Sequence, residues 1–152
     1  MTEGQLVSGT SGEPKQLAAT CYQLAAVAYP NGAPWRQATF QADIEAPQTR
    51  YDLLLLGGHP VGFASWTVVL DQVELTNLAV HPDFRRQGLA EQLLNAGLTR
   101  LKISDQVFLE VRQSNVAAQR LYLKAGFGQI ATRKRYYHDP TEDAWIMRKI
   151  ID

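Results

Sequence analysis

The chain has 152 residues, of which 45% are hydrophobic, and its 15 Lys and Arg residues balance its 15 Asp and Glu residues. This length suits one globular domain with a single core, so we expect residues 1–152 to form one domain. The neutral net charge argues against a general binder of nucleic acids or membrane surfaces, because such proteins carry a basic excess. Any anion site must therefore be local.

The cysteine and histidine content excludes several kinds of site. Cys21 is the single cysteine, which excludes an intrachain disulfide and a cysteine-based zinc site, and we expect its thiol to be buried. His59, His81 and His138 have no metal-ligand spacing, so no metal is expected. The N-terminal "MTEGQLVSGTSGEP" lacks the basic and apolar segments of a secretory signal, and no apolar run is long enough to span a membrane. These features predict a cytoplasmic protein.

The first half of the chain predicts two helices followed by three strands. The first helix starts near Pro14 and ends before Pro30, "PNGAP" is a loop, and "WRQATFQADI" contains a short second helix. The stretch "RYDLLLLGGHPVGFASWTVVLDQVELTNLAV" predicts an antiparallel meander of three strands, with turns at "GGHP" and near Leu70-Asp71-Gln72.

The second half of the chain alternates helices and strands. A leucine stripe predicts a helix over residues 87–101, and "QVFLEV" predicts a strand. A helix follows in "SNVAAQRLYLKAG", with Ser114 or Asn115 as its N-cap and Gly126 as its stop, and "FGQIATRKRYY" and "DAWIMRKI" are two closing strands. The order α-α-β-β-β-α-β-α-β-β predicts an α/β (α+β) fold with a central mixed, mostly antiparallel sheet and helices on both faces.

The segment "FRRQGLAEQLL" is a candidate anion site. It places Arg85, Arg86 and Gly88 at the start of a helix, where free backbone N–H groups and the helix dipole favour a negative ligand. Gly88 lacks the Cβ that would keep a ligand away from the backbone, so a phosphate fits this arrangement. Neither the P-loop pattern nor the G-x-G-x-x-G fingerprint is present, which disfavours ordinary ATP and NAD sites. A surface helix start with solvated arginines is the alternative for this stretch alone.

A carboxylate in the strand "QVFLEVR" is a candidate general base. Alternation places Glu110 on the face opposite Val107 and Val111, and we expect a strand between two helices to be covered on both faces. Partial desolvation raises the pKa of a carboxylate, which suits a base near neutral pH. The alternative is an ion pair with a nearby arginine or an exposed position. Asn115 and Tyr122 share one helix face. They are either a polar stripe that binds a ligand or, alternatively, a capping Asn and an ordinary core Tyr.

Taken together, these stretches resemble the GNAT acetyltransferase superfamily. "RRQGLA" at residues 85–90 matches its Q/R-x-x-G-x-G/A pyrophosphate loop, with Ala90 where Gly is commoner. "LTNLAV" matches the strand that pairs with pantetheine, and "LEVRQSNVAAQRLYLKAGF" matches the downstream signature of the family. The resemblance implies that the bound anion is the pyrophosphate of coenzyme A and that acetyl-CoA is the cosubstrate.

The chain resembles more specifically the bacterial RimI-type enzymes, which acetylate the N-terminal alanine of a small-subunit ribosomal protein. "FLEVRQSNVAAQRLYLKAGF", "RKRYYHDPTEDAWIMRKI" and, more weakly, "AYPNGAPW" carry this resemblance. Residues 31–34 and 41–50 depart from the family in the region where the acceptor is expected to be held. The leading interpretation is direct transfer of the acetyl group from acetyl-CoA to the N-terminal α-amine of a ribosomal protein, and a lysine or a small-molecule amine is the alternative acceptor.

The resemblance also implies roles for individual residues. Glu110 occupies the position of the general base and Tyr122 that of the general acid, while Trp35, Tyr136 and Tyr137 are expected to bind the acceptor. The expected acetyl-CoA contacts are Leu78, Ala79, Val80, Arg85, Arg86, Gln87, Gly88, Leu89, Ala90, Glu91 and Asn115.

The implied partners are acetyl-CoA and a protein N-terminus, without nucleic acid or membrane, for a monomer or weak dimer. A non-catalytic acyl-CoA-binding module on the same fold is the alternative from another functional class. The pairing of Glu110 with Tyr122 argues for catalysis, because a binding module has no need of an acid and a base.

Overall fold

A computed structural model of the chain describes residues 4–9 and 12–152. These residues form seven strands and four α-helices, and a 3-10 turn at Pro82–Phe84 follows β4. The elements are β1 (Gln5–Ser8), α1 (Pro14–Ala28), α2 (Gln37–Glu45), β2 (Thr49–Leu56), β3 (His59–Val69), β4 (Gln72–Val80), α3 (Leu89–Leu98), β5 (Gln106–Arg112), α4 (Val116–Lys124), β6 (Gly128–Tyr137) and β7 (Glu142–Ile150).

All seven strands join one sheet in the order β1-β2-β3-β4-β5-β7-β6. Only the β4–β5 pair is parallel, and the other five pairs are antiparallel. The predicted mixed, mostly antiparallel sheet is therefore confirmed. Strand β1 was not predicted, because "QLVS" is too short to give an alternation signal and its partner β2 lies more than forty positions away along the chain.

The helices lie on both faces of the sheet, as predicted. Helices α1 and α2 form one core with the strand residues Tyr51 and Phe63. Helices α3 and α4 form a second core on the opposite face, which includes Trp66 and Met147. Cys21 is fully buried in the first core, as expected, and burial raises the pKa of its thiol to about 12. No helix among residues 4–9 and 12–152 is long and apolar enough to cross a membrane.

Helix α3 is shorter at both ends than predicted, whereas the predicted ends of α4 are confirmed. Helix α3 covers Leu89–Leu98 rather than residues 87–101, because Gly88 has a left-handed φ of 75° and the chain tightens after Leu98, where Leu101 N–H donates to the Leu98 carbonyl. Helix α4 is capped by Asn115, whose Oδ1 accepts the Ala118 N–H at 3.1 Å. Gly126, with φ of 99°, follows its end as predicted.

The expectation of no secretory signal concerns a segment that includes residues 1–3 and 10–11, which lie outside the described residues.

Gly97 marks the closest approach of α3 to the sheet. A Cβ added there would overlap ring atoms of the buried Trp66. Replacing Gly97 by Ala should therefore lower the free energy of unfolding by about 1–3 kcal/mol, measured by urea denaturation. Gly128→Ala is the matched control, because nothing lies within 4 Å of its added Cβ, and we expect a change within about 0.5 kcal/mol. A Gly97→Ala variant as stable as the parent would contradict this packing.

Candidate active site

Strands β4 and β5 separate from each other part of the way along the sheet. Their parallel ladder includes only Gln72–Gln106, Val73–Val107 and Glu74–Phe108, although both strands continue beyond it. A bulge sits directly after this point, because Ser65 faces Asn77 while Trp66 faces Leu75 on the neighbouring pair of strands. The backbone edges of β4 and β5 beyond Glu74 and Phe108 are therefore available to line a groove.

The loop before α3 has the geometry of an anion site. Arg86 and Gly88 both have left-handed backbone angles, with φ of 63° and 75°. An added Cβ on Gly88 would meet nothing within 4 Å, so the space beside its backbone is open to a ligand. Arg86 is exposed and forms no ion pair within the described part of the chain, which leaves its charge available. This arrangement fits a phosphate group.

Arg85 makes a contact that the sequence did not predict. Its Nη2 donates to the carbonyl oxygen of Ala28, at the end of α1, at 2.6 Å. The guanidinium group thus joins the loop before α3 to the C-terminus of α1, where unpaired helix carbonyls favour a cation. Its assignment as an acetyl-CoA contact stays a prediction, which the backbone of Arg85 could fulfil while the side chain holds α1.

Glu110 lies on β5 at the open face of the groove. Its Oε2 accepts a hydrogen bond from the Tyr136 hydroxyl at 3.0 Å, and its Oε1 lies 3.8 Å from Nη1 of Arg133. The prediction that helices cover both faces of β5 is wrong at Glu110. Helices α1 and α2 pack against β2, β3 and β4 and leave Glu110 exposed. Both features of the alternative interpretation, the arginine neighbour and the exposed position, are present. Since the Arg133 side chain is itself 59% exposed, its contact leaves the carboxylate accessible to an acceptor.

Tyr122 is nearly buried, and its ring packs edge-on against Phe127 with centroids 5.8 Å apart. Its hydroxyl has no hydrogen-bond partner among residues 4–9 and 12–152. Burial, with smaller electrostatic contributions from Tyr29 and Tyr137, raises the pKa of this hydroxyl above its ordinary value. Tyr122 is therefore a protonated group with a free hydrogen at neutral pH.

Tyr136 and Tyr137 are the aromatic neighbours of Glu110, the first through its hydrogen bond and the second through an electrostatic effect on its pKa. Their rings stack edge-on with centroids 5.0 Å apart, and the Arg112 guanidinium lies 4.3 Å from the centre of the Tyr137 ring. Burial raises the pKa of Tyr137, and the negative charge of Glu110 adds to the effect. The predicted base, two of the predicted acceptor-binding residues and the predicted acid are thus electrostatic neighbours, because Glu110 acts on Tyr136 and Tyr137, and Tyr137 acts on Tyr122.

Tyr29 belongs to the same site, although no sequence pattern selects it. Its hydroxyl accepts the Leu78 N–H at 3.1 Å and donates to Oδ1 of Asn77 at 3.3 Å. Burial raises the pKa of this hydroxyl to about 12, although the hydrogen bond from Leu78 lowers it. A tyrosine at a helix end before a proline carries no functional signal by itself. Tyr29 is assigned to the site only because its hydroxyl contacts the Leu78 N–H of β4.

The remaining predicted site residues have mixed surroundings. Trp35 packs against Phe40, with ring centroids 5.1 Å apart, in the core of α1 and α2. Leu89 is buried, and Glu91 forms a salt bridge of 3.3 Å with Lys124. Asn115 serves as a helix cap, so its amide oxygen is already used. Their assigned contacts with acetyl-CoA or the acceptor stay predictions.

Comparison with known proteins identifies the fold and its relatives. Residues 17–127 match the acetyltransferase (GNAT) family model. The [ribosomal protein bS18]-alanine N-acetyltransferase of Escherichia coli K12 is 39% identical over 118 residues, which cover 75% of this chain and 79% of the relative. The N-alpha-acetyltransferase RimI of Mycobacterium tuberculosis is 31% identical over 133 residues, with coverage of 85% and 84%.

The solved structures agree with this comparison. The crystal structure of the ribosomal-protein-S18-alanine N-acetyltransferase from Escherichia coli superposes with a TM-score of 0.86 and 33% identity, over 98% of this chain and 94% of that one. The matched region includes β4, the loop before α3, β5, Tyr29 and Tyr122, and it ends before Tyr136 and Tyr137. The protein is therefore an acetyl-CoA-dependent N-acetyltransferase that belongs to the GNAT family.

Proposed function

We propose that this enzyme transfers the acetyl group of acetyl-CoA to the α-amine of the N-terminal alanine of a small-subunit ribosomal protein. The relatives named for this reaction support the proposal. The observation that carries it is the Glu110 carboxylate, which the Tyr136 hydroxyl holds at 3.0 Å beside the separation of β4 and β5. We further propose that residues 1–152 act as one domain in the cytoplasm, where ribosomal proteins are made.

The acid–base chemistry of the acceptor favours an α-amine over a lysine. An α-amino group has a pKa of about 7.7–8.0 and a lysine one of about 10.4, so at pH 7 the lysine costs roughly 3 kcal/mol more to deprotonate. Glu110 is exposed and its Arg133 contact is loose, and the Glu74 carboxylate is close enough for the charge of Glu110 to raise the pKa of Glu74. A base of this kind suits the weaker demand of an α-amine.

The reaction follows from groups that the groove brings together. Acetyl-CoA supplies the acetyl group as a thioester, and Glu110 removes the proton from the α-amine as its nitrogen bonds to the carbonyl carbon. One β4 backbone N–H group at the groove edge, that of Leu78, stabilises the negative charge on the carbonyl oxygen. Tyr122 gives its proton to the sulfur as the carbon–sulfur bond breaks, which releases the amide and the CoA thiol.

The loop before α3 is the proposed binding site for the pyrophosphate of acetyl-CoA. Arg86 supplies an unpaired positive charge, and the N–H groups at the start of α3 supply hydrogen-bond donors. Arg85 holds this loop against the end of α1 through the Ala28 carbonyl. The loop can therefore bind the anion without a large change of conformation.

Replacing Gly88 by Ala should weaken acetyl-CoA binding. The φ of 75° strains any residue with a Cβ, at a cost of about 1–2 kcal/mol, and the Cβ would enter the space left open for the ligand. We expect the Kd of acetyl-CoA, measured by isothermal titration calorimetry, to rise about 10-fold or more. Gly58→Ala is the control, because Gly58 has φ of 81° with equally open space in the β2–β3 turn. A Gly88→Ala variant with the affinity of the parent would place the pyrophosphate elsewhere.

The acceptor itself can be identified with intact ribosomal proteins. Small-subunit proteins with unmodified N-termini are incubated with the enzyme and isotopically labelled acetyl-CoA, and their terminal peptides are read by tandem mass spectrometry. We expect label on the α-amine of one protein that begins with alanine. Label confined to lysine side chains, or label on no protein while a polyamine is acetylated, would contradict the proposal and favour a lysine or a small-molecule acceptor.

A further inference from the structure

The edge of β4 that faces the groove has few hydrogen-bond donors. The His81 N–H donates to the Val61 carbonyl of β3 at 2.7 Å, and alternate N–H groups of an antiparallel strand point to the same neighbour. The N–H groups of Leu78 and Val80 therefore point away from β3, toward the side where the ladder with β5 has already ended. These two donors lie two residues apart, about 6.6 Å along the strand, so both cannot reach one ligand oxygen.

The Leu78 N–H already has an oxygen atom in front of it, which is the hydroxyl oxygen of Tyr29 at 3.1 Å. This hydroxyl sits where an acceptor oxygen on that N–H would lie, and its ring is close enough to Tyr122 to influence the pKa of the Tyr122 hydroxyl. Among the described residues, Tyr29 is thus the side chain that joins the groove edge of β4 to the proposed acid.

The position of Tyr29 is fixed from several directions. The neighbouring Ala28 carbonyl accepts the Arg85 guanidinium at 2.6 Å, which holds the end of α1. Behind the hydroxyl, Asn77 is almost fully buried and donates through Nδ2 to Oγ of Ser65 at 3.1 Å. Ser65 in turn exchanges a hydrogen bond of 2.6 Å with Thr76 at the bulge of β4. A buried polar network of this kind keeps the hydroxyl beside the β4 edge, so that only a short shift is needed when a ligand arrives.

We propose that the Tyr29 hydroxyl is a further catalytic group, which acts with the Leu78 N–H as the second donor to the acetyl carbonyl oxygen. This inference rests on the proposed acetyl transfer. When the thioester is in place, its carbonyl oxygen replaces the Tyr29 oxygen as the acceptor of the Leu78 N–H, and the Tyr29 hydroxyl shifts aside and turns its hydrogen from Asn77 to the same carbonyl oxygen. Little is lost by this change, because the hydrogen bond to Asn77 Oδ1 is long at 3.3 Å.

The hydroxyl stays protonated throughout the reaction. As the amine nitrogen bonds to the carbonyl carbon, the carbonyl π electrons move to oxygen, where both donors stabilise the charge. The electrons return as the carbon–sulfur bond breaks, and Tyr122 rather than Tyr29 supplies the proton to sulfur. The raised pKa of Tyr29 is consistent with a group that donates a hydrogen bond without losing its proton.

The test compares Tyr29→Phe with Tyr22→Phe. Tyr22 lies on the same helix and is 37% exposed, and its hydroxyl forms no hydrogen bond in the described part of the chain, so its variant controls for loss of a hydroxyl. Loss of one donor to a developing oxyanion typically lowers kcat by about 10²–10³-fold. We expect a loss of about 10²-fold in Tyr29→Phe, with KM for the peptide nearly unchanged, and parental kinetics in Tyr22→Phe.

A second measurement needs no turnover. Isotope-edited infrared spectroscopy of the enzyme with carbonyl-labelled acetyl-CoA, without acceptor, reports how strongly the carbonyl is polarised. We expect the carbonyl stretch at lower frequency in the parent and in Tyr22→Phe than in Tyr29→Phe. An unchanged frequency with parental kcat in Tyr29→Phe, or tighter acetyl-CoA binding with parental kcat, would overturn the inference. A parent enzyme that binds acetyl-CoA but acetylates no N-terminus would instead overturn the proposed function.

Discussion

Replacing Glu110 by Gln should lower kcat for peptide acetylation at pH 7 by about 10²-fold or more. The amide has nearly the same shape and can still accept the Tyr136 hydroxyl, so the groove keeps its form while the proton acceptor is lost. Because Glu110 is exposed and its ion pair with Arg133 is long at 3.8 Å, the free energy of unfolding should change little. Steady-state kinetics with a peptide that begins with alanine, together with a urea denaturation curve, separates the two effects.

Glu13→Gln is the matched control for Glu110→Gln. Glu13 is exposed at the start of α1, at the opposite end of that helix from Tyr29, and forms no ion pair with any described residue. The control removes the same charge and should retain parental kcat. If Glu110→Gln also retained parental kcat, the proton would leave through another group or through water, and the proposed base would be wrong.

Replacing Tyr122 by Phe should also lower kcat by about 10²-fold, without a large change in the Kd of acetyl-CoA. The hydroxyl is nearly buried, is held protonated by its surroundings and has no hydrogen-bond partner in the described residues, so its free hydrogen is available to the leaving sulfur. For the same reason its removal leaves no partner unsatisfied, and stability should change by less than about 1 kcal/mol.

Tyr122→Phe can be separated from Tyr29→Phe by the infrared measurement. Tyr122 acts on sulfur in the proposed reaction, so the stretch of the bound acetyl carbonyl should stay at the parental frequency in Tyr122→Phe. A kcat equal to that of the parent would mean that the thiol obtains its proton from solvent. A shifted carbonyl stretch would mean that Tyr122 contacts the carbonyl oxygen and that the roles of the two tyrosines need to be exchanged.

The parts of the fold that the sequence predicted are those with local signals. The three-strand meander follows from alternation and turn residues, the end of α4 from Gly126, and its start from Asn115. The candidate anion loop was found because Gly88 and the arginines are adjacent in the chain. Each of these features is set by residues within a few positions of one another.

The parts that were missed depend on contacts between distant positions. Strand β1 exists because β2 offers it an edge, and Arg85 reaches Ala28 across 57 positions of sequence. The salt bridge of 2.7 Å between the buried Asp52 and the exposed Arg100 joins β2 to the end of α3 across 48 positions and was not predicted either. Tyr29 gains its place only from the Leu78 N–H, 49 positions away.

The exposure of Glu110 was missed for a related reason. Alternation in "QVFLEVR" correctly separated Glu110 from the buried Val107 and Val111. It could not indicate how far α1 and α2 extend across the sheet, because the width of a helix layer is set by tertiary packing. The sequence therefore identified Glu110 as a candidate base, but the prediction that a helix covers it was wrong.

The most direct test of transfer to an N-terminal amine is an intact-mass assay with acetyl-CoA and two short peptides. One peptide begins with a free alanine and contains no lysine, and the other has a blocked N-terminus and one internal lysine. The account predicts a gain of one acetyl group on the first peptide only. Acetylation of the second peptide alone would contradict it and assign the groove to lysine side chains.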